Sequence, residues 1–225
     1  MIIYNIMISV LIPIYNGIDF IDESVNSVIE QSYQNWELII AVNGHPENSE
    51  VFQIANKFAN KDPRIRVYDM YQLKGKSVTL NEMIKLCNHD YVALLDVDDI
   101  WHHTKLNLQV RKIHEYDVVG SQCVYFGNMN GIVPKIPLGD ISNQDFRLVN
   151  PIINSSCIIR KELCYWGEDG LEDYELWARL RKLNKKFYNF TEILVKHRIH
   201  PSSAFNTQNF DEKLNKIKNS LNGIM

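Results

Sequence analysis

The chain has 225 residues, 45% of them hydrophobic and 23% charged, with a formal net charge of −3 and a pI near 6.2. That length sustains one domain over residues 1–225 with a sizeable core, and Lys and Arg scattered without a basic block argue against a nucleic-acid partner. The four cysteines, Cys87, Cys123, Cys157 and Cys164, have no CxxC spacing, so free thiols in a reducing, cytoplasmic setting are expected, not a disulfide framework or a structural zinc.

The N-terminal MIIYNIMISVLIP has no basic flank, is interrupted by Asn5 and Ser9, and runs into Pro13. It reads as a first strand over residues 6–14 instead of a signal peptide or a membrane span. Ile21, Val25, Val28 and Ile29 follow at helical spacing, with Asp22 and Glu23 early where the helix dipole favours acids. The alternation continues along the chain. WELIIAV (36–42) is a strand, and Val51, Ala55, Phe58 and Ala59 line a helix. RIRVYD (64–69) is a strand, Leu80, Met83, Ile84 and Cys87 mark a helix, and YVALL (91–95) is the fourth strand. Such alternation predicts an α/β fold with a mainly parallel twisted sheet covered by helices on both faces.

The second half is less regular. Leu106, Val110 and Ile113 suggest a helix, DVVGSQCVYFG a strand, and residues 128–143 an irregular excursion. SSCIIR is a short strand, Glu172 to Asn184 a helix, and EILVKHRIH a closing strand. Phe210, Leu214, Ile217 and Leu221 mark a packed terminal helix. No transmembrane segment is expected.

In parallel sheets, ligands bind beyond the carboxyl ends of the strands. Tyr15, Asn16, Asn43, Asp96, Asp98 and Asp99 all fall at such ends and are expected to share one crevice. Clustered carboxylates repel one another, so LDVDD calls for a cation, and oxygen ligands select Mg²⁺ or Mn²⁺. A DxD standing alone also fits a solvated acidic turn. An EF-hand is excluded, because Ile100 and Trp101 stand where its further ligand and glycine belong. A phosphatase with an aspartyl nucleophile would ordinarily carry its DxD after the first strand, not the fourth.

SVLIPIYN, NWELIIAVNG, GKSVTLNEMIKL, YVALLDVDDIWHHTKLNLQ, LEDYELWARL and HRIHPSS occur in this order, and together they resemble the family 2 glycosyltransferases of the GT-A (Rossmann-like) fold. The resemblance implies a nucleotide-binding half (1–100), an acceptor and catalytic half (101–205) and a C-terminal helix (206–225). Pro13, Tyr15 and Asn16 would lie at the base pocket, with Tyr15 stacking. Asn43 stands where the family usually has an acid that reads the base, and its amide can both accept and donate. Lys76, at a helix start suited to phosphate, is either a diphosphate contact or an ordinary surface lysine; Asn81 matches the family's asparagine at the nucleotide-sugar site. Asp96 would contact ribose or metal, Asp98 the metal, and Asp99 would support them. Trp101 and Lys105 match the family's pattern of IW followed by KL.

Asp173 matches the catalytic base of an inverting transfer, with Glu172 supporting the acceptor; helix N-terminal acids in a favourable dipole are the alternative. His200 would be a third metal ligand or a diphosphate contact, and Arg198, Ser202 and Ser203 would lie near the phosphates. Asn154 and Ser155 would line the donor sugar, and Trp177 is read as core packing. His102 and His103, adjacent and without further ligands nearby, are read as partly exposed polar residues and not a zinc site, and His197 as structural.

The sequence therefore points to a hexosyltransferase-type, inverting enzyme. It would move sugar from a nucleotide diphosphate sugar, a UDP-sugar, to a hydroxyl of a glycan, a lipid-linked acceptor or a protein, with Mn²⁺ or Mg²⁺. Little chain follows HRIHPSS, which argues against a processive membrane synthase. The rivals are an inactive nucleotide-sugar or glycan-binding protein, kept open by Asn43, and a sugar nucleotidyltransferase, disfavoured because IPIYNGIDF lacks a glycine-rich basic loop.

Overall fold

The computed structural model describes residues 5–168, 171–201 and 211–223. Among them, strands β1 (Ile8–Ile14), β2 (Trp36–Asn43), β3 (Ile65–Met70) and β4 (Tyr91–Leu94) alternate with helices α1 (Ile21–Ile29), α2 (Glu50–Asn56) and α3 (Lys76–Leu86). These are followed by β5 (Ile100–Trp101), α4 (Lys105–Gln109), β6 (Val118–Gly127), β7 (Gly139–Asp140) and β8 (Ile158–Arg160). Helix α5 (Glu172–Lys182), strand β9 (Phe187–Ile199) and helix α6 (Asp211–Ser220) complete the order.

The strands form one sheet in the order β3-β2-β1-β4-β8-β6-β9-β5, with β7 on β9. Pairs β1/β2, β2/β3 and β1/β4 are parallel, as expected for buried crossover units. β8 runs antiparallel to both β4 and β6, and β6 is parallel to β9. Strands β6 and β9 therefore point the same way as β1 to β4. The chain moves outward from β1 to β3 and then returns to the other side of β1, which makes the gap between β1 and β4 the switch point of the sheet.

The apolar runs explain the burial. Ile8, Val10, Ile12 and Ile14 face one core cluster with Val25, Val28 and Phe58. Leu11, Ile39 and Ala41 face the other with Leu80, Met83 and Trp177. The side-chain period of two sends alternate residues to opposite faces, and both are covered. Ser9, the polar break in β1, is satisfied by donating to Glu37 Oε1 at 2.6 Å, and Arg66 closes the same carboxylate at 2.7 Å.

Four elements differ from the sequence reading. Asn154–Ser156 form a 3₁₀ turn, so the strand expected over SSCIIR is only Ile158–Arg160. Strand β9 begins at Phe187, before the expected start at Glu192, because its first residues pair with Val118 to Ser121 of β6. The helix expected through Val110 and Ile113 is the short α4, and α2 continues as 3₁₀ turns over Lys57–Asn60. Non-local pairing with β6 sets where β9 begins.

Lys105 is wholly buried under this sheet. Its ammonium donates to Gln109 Oε1 at 2.7 Å and lies 4.0 Å from the Trp101 ring centroid, with no carboxylate partner among the described residues. Burial pushes its pKa down to about 7, with Cys157 opposing weakly. Between pH 7 and the ordinary lysine value the unfolded chain binds the extra proton, so this residue makes stability rise with pH across that window. Lys105→Met is expected to be more stable than the parent at pH 7, with the advantage vanishing by about pH 10. Denaturant melts at several pH values measure this, and a difference independent of pH refutes it.

Candidate active site

The carboxyl ends of β1, β2, β4 and β9 meet at the switch point. Asp96 leaves β4 and turns under the 3₁₀ segment 154–156. Its N–H donates to Ser155 Oγ at 3.1 Å, and Asn154 Nδ2 donates to both carboxylate oxygens at 3.3 and 3.1 Å. Lys76, at the start of α3, sits 2.6 Å from Asp96 Oδ1 and 3.5 Å from Glu172 Oε1. One ammonium thus joins a strand end to the start of α5. Burial works against the charged lysine, yet Asp96, Glu172 and Asp173 outweigh it and hold its pKa well above the ordinary value. Burial likewise works to raise Asp96, but Lys76 followed by Asn154 pulls it below the carboxylate range. Lys76 is neither a free surface lysine nor a lone phosphate contact; it is the counter-ion of the carboxylates.

Asp173 lies beside this pair. Asn150 Nδ2 donates to its Oδ2 at 2.9 Å, and the Tyr174 N–H to its Oδ1 at 2.7 Å. Burial first, and Glu172 second, raise its pKa to about 6 against the pull of Asn150 and Lys76. A carboxylate so tuned is basic enough to accept a proton near neutral pH. The residue that opens the helix, Leu171, holds φ at +56°, a conformation costing about 1–3 kcal/mol in a non-glycine residue. Asn150 is the site residue that sequence reasoning missed: it sits in a segment without periodicity, and only the fold brings it to Asp173.

The third group gathers Asp98, Asp99 and the end of β9. His200 Nε2 lies 2.8 Å from Asp98 Oδ2. His197 Nδ1 lies 3.0 Å from Asp99 Oδ2, and the Arg198 N–H donates to Asp99 Oδ1 at 2.9 Å. His197, read from sequence as structural, is the partner of Asp99. Burial opposes its charge, but Asp99, Asp96 and Asp98 raise its pKa to about 9. Asp98 is raised by burial, then by Asp99 and Asp96, with His200 opposing.

Two expected contacts are differently employed. Asn81 both donates to and accepts from the Trp166 backbone, at 2.8 and 2.9 Å; a carboxamide that matches both groups of a peptide pins α3 to the chain before α5. Arg198 is stacked 4.3 Å from both Phe20 and Phe126 while bonding Asp98 O and Glu23 at 2.8 Å. Its guanidinium is thus held by these groups and does not stand open to a phosphate. Ser202 and Ser203 lie outside the described residues. Trp177 is fully buried, in agreement with its packing role, and His102 and His103 are exposed, in agreement with their reading as exposed polar residues.

At the other wall, Tyr15 is 57% exposed, Asn16 is exposed beside it and Pro13 is half-buried. Asn43 is buried, and its Nδ2 has no partner among the described residues. Gly44 (φ +73°) lies so close to the Tyr15 ring that a Cβ there would meet Cε2 at 2.6 Å. Glycine is the residue that lets this ring lie against the end of β2.

Among the described residues no three His, Cys, Asp or Glu side chains converge on one point as a preformed metal cage. The Asp98 and His200 pair nevertheless fits a divalent ion: carboxylate and imidazole are suitable donors, and the raised Asp98 marks negative charge that a cation would relieve.

The known proteins to which this chain is similar in sequence are named as glycosyltransferases. The chain is 27% identical to the O-antigen biosynthesis glycosyltransferase WbnJ of Escherichia coli, over 88% of this chain and 82% of that one. It is 26% identical to an uncharacterized glycosyltransferase of Rickettsia conorii, over 97% of this chain but 38% of the relative, so it spans well under half of that protein. In structure it is similar to S. aureus TarS 1-349 in complex with UDP-GlcNAc, with TM-score 0.77 and 19% identity over 98% of this chain and 68% of that 1-349 chain. It is also similar to the mannosyltransferase PcManGT from Pyrobaculum calidifontis in complex with GDP-Man and Mn2+, with TM-score 0.71 and 13% identity over 98% and 71% of the two chains. The shared architecture is the GT-A fold. With the family model "Glycosyl transferase family 2" matching residues 9–165, well over half its length, the chain belongs to glycosyl transferase family 2.

Proposed function

We propose that this chain transfers a sugar from a UDP-sugar to an acceptor hydroxyl with inversion at the anomeric carbon. The observation that carries the reading is the ammonium of Lys76 between Asp96 and Glu172, with Asp173 raised to about 6 alongside. A donor site and a proton acceptor thereby share one wall. Relatives named as glycosyltransferases and the UDP-bound TarS structures support the donor class.

In this scheme Tyr15 stacks on the base, with Pro13 and Asn16 beside it. Asn43 offers its unpartnered amide N–H to a base oxygen, while its carbonyl accepts from a base N–H. Asp96, fixed by Lys76 and Asn154, receives the ribose. Asn81 and Arg198 act by holding Trp166 and the Asp98 loop in position. Mn²⁺ or Mg²⁺ held by Asp98 and His200, next to Asp96, would supply positive charge against that developing on the leaving diphosphate. The acceptor oxygen attacks the anomeric carbon as the bond to the diphosphate oxygen breaks, and the acceptor proton passes to an Asp173 oxygen. Glu172 orients the acceptor, and Asn150 holds Asp173 in line. Asn154 and Ser155 border the donor sugar.

Residues 1–100 would bind the nucleotide, 101–205 the acceptor, which is a glycan, a lipid-linked species or a protein, and 206–225 would buttress α5. The four free thiols suit a reducing cytoplasm. No helix among the described residues is long and apolar enough to cross a membrane.

A panel of nucleotide sugars with Mn²⁺ is expected to show one donor hydrolysed or transferred; binding that raises thermal stability with no turnover overturns the enzyme reading. Asp173→Asn is expected to keep donor affinity while lowering transfer by about 10²- to 10⁴-fold, and equal activity would remove the base assignment. Asp98→Ala is expected to abolish metal-dependent donor binding by calorimetry. A base must be ionised, so kcat/KM should fall about tenfold per pH unit below pH 6. The Asn150 hydrogen bond favours the carboxylate, so Asn150→Ala should move that limb to higher pH; movement the other way contradicts the scheme.

A further inference from the structure

Across the sheet from the crevice lies a cavity of about 550 Å³, walled by His114, Tyr116, Asp140, Arg181, Lys185 and Lys186. Its walls are the segments that precede β6 and β9, the end of β7, and the last turn of α5. Since β6 and β9 run in the direction of β4, their amino ends lie at the edge opposite the catalytic one. Helix α5 spans the distance: from Asp173 to Arg181 is about 12 Å at 1.5 Å per residue.

The acids around this cavity are already employed. Asp140 accepts from Ser142 N–H and Oγ at 3.0 and 2.7 Å and from the Tyr116 hydroxyl at 3.3 Å. Glu115 is paired with Lys112 at 2.9 Å. Asp145, near enough to be influenced by Arg181, is held by Arg147 at 2.7 Å.

The cations are not employed. Arg181 is only 5% exposed, and its Nε has no hydrogen-bond partner. Among the described residues neither its guanidinium nor the ammonium groups of Lys185 and Lys186 joins an ion pair, although the charge of Lys186 reaches Asp140 at longer range. A largely buried guanidinium whose Nε has no partner is costly to desolvate and is suited to an anion. Three cations around one cavity outnumber its two carboxylates, Asp140 and Glu115, the second of which is already paired with Lys112, and a guanidinium fork fits two oxygens of a phosphate. Ser142 and Tyr116 hydroxyls complete a polar wall.

We propose that this cavity binds a phosphate group, gripped by Arg181 and flanked by Lys185 and Lys186, at a site separate from the donor crevice. The site holds whether or not the crevice transfers sugar. The phosphate is either that of a soluble phosphorylated ligand or that of a lipid headgroup.

The ¹⁵N-labelled full chain is titrated with inorganic phosphate, and sedimented with phosphatidylcholine vesicles with and without phosphatidic acid. Amide shifts are expected at residues 114–116, 140–143 and 181–186. The double variant Lys185→Glu/Lys186→Glu should weaken binding by about tenfold or more, the loss of charge-assisted contacts. Arg181→Gln should do the same, and the lysine variant keeps the test valid should Arg181→Gln fail to fold, because it alters no core side chain. Saturation by free phosphate supports a soluble ligand; sedimentation only with phosphatidic acid, lost in the double variant, supports a headgroup. Shifts confined to the crevice, unchanged affinity in the double variant, or no binding to either probe overturns the proposal.

Discussion

A single ammonium, that of Lys76, lies between the carboxylate at the end of β4 and those at the start of α5. Without it, Asp96, Glu172 and Asp173 would face one another across a partly dehydrated gap, where like charges cost far more than in water. With it, two of these acids acquire different characters: Asp96 is lowered by Lys76 despite its burial, while Asp173 is raised by burial and then by Glu172. Two neighbouring acids with separated proton affinities are what a site needs to hold a charged ligand and move a proton at once. The lysine is the shared counter-ion of acids from two distant elements.

This arrangement depends on the direction of the strands. β1, β2, β4 and β9 all end at one edge, although β9 enters the sheet more than ninety residues after β4. The short antiparallel β8 lies between β4 and β6 and allows the chain to cross without reversing the polarity of the longer strands. It also carries the turn 154–156, which binds the Asp96 backbone and side chain. The same polarity separates the two basic features of the molecule. Lys76 answers acids at the carboxyl edge, whereas Arg181, Lys185 and Lys186 gather at the amino edge, where the acids are already paired.

Much of the architecture was legible in the sequence because the first half alternates apolar runs with helical spacing, and each run must be buried on both faces. The positions of Tyr15, Asn43 and the LDVDD segment at strand ends followed from that alternation. The second half was less legible because its strands are short or gain their order from distant partners. β9 includes FYNFT, whose aromatic and β-branched residues suit a strand, but its place in the sheet is set by β6 alongside. Asn81 and Arg198 show the complementary difficulty: their residue types suit a nucleotide site, but which groups occupy a carboxamide or a guanidinium is a matter of neighbours far away in the chain.

The sequence by itself determined the alternating sheet, the carboxylates at its edge and the order of motifs, because periodicity and residue chemistry are local properties. Only the tertiary structure decided that Lys76 faces three acids, that Asn150 holds Asp173, that His197 pairs with Asp99, and that the buried Nε of Arg181 has no hydrogen-bond partner among the described residues. Those facts concern charge, and charge depends on distance and on exclusion of water. Neither is written in any one segment; both arise where segments distant in sequence are packed together.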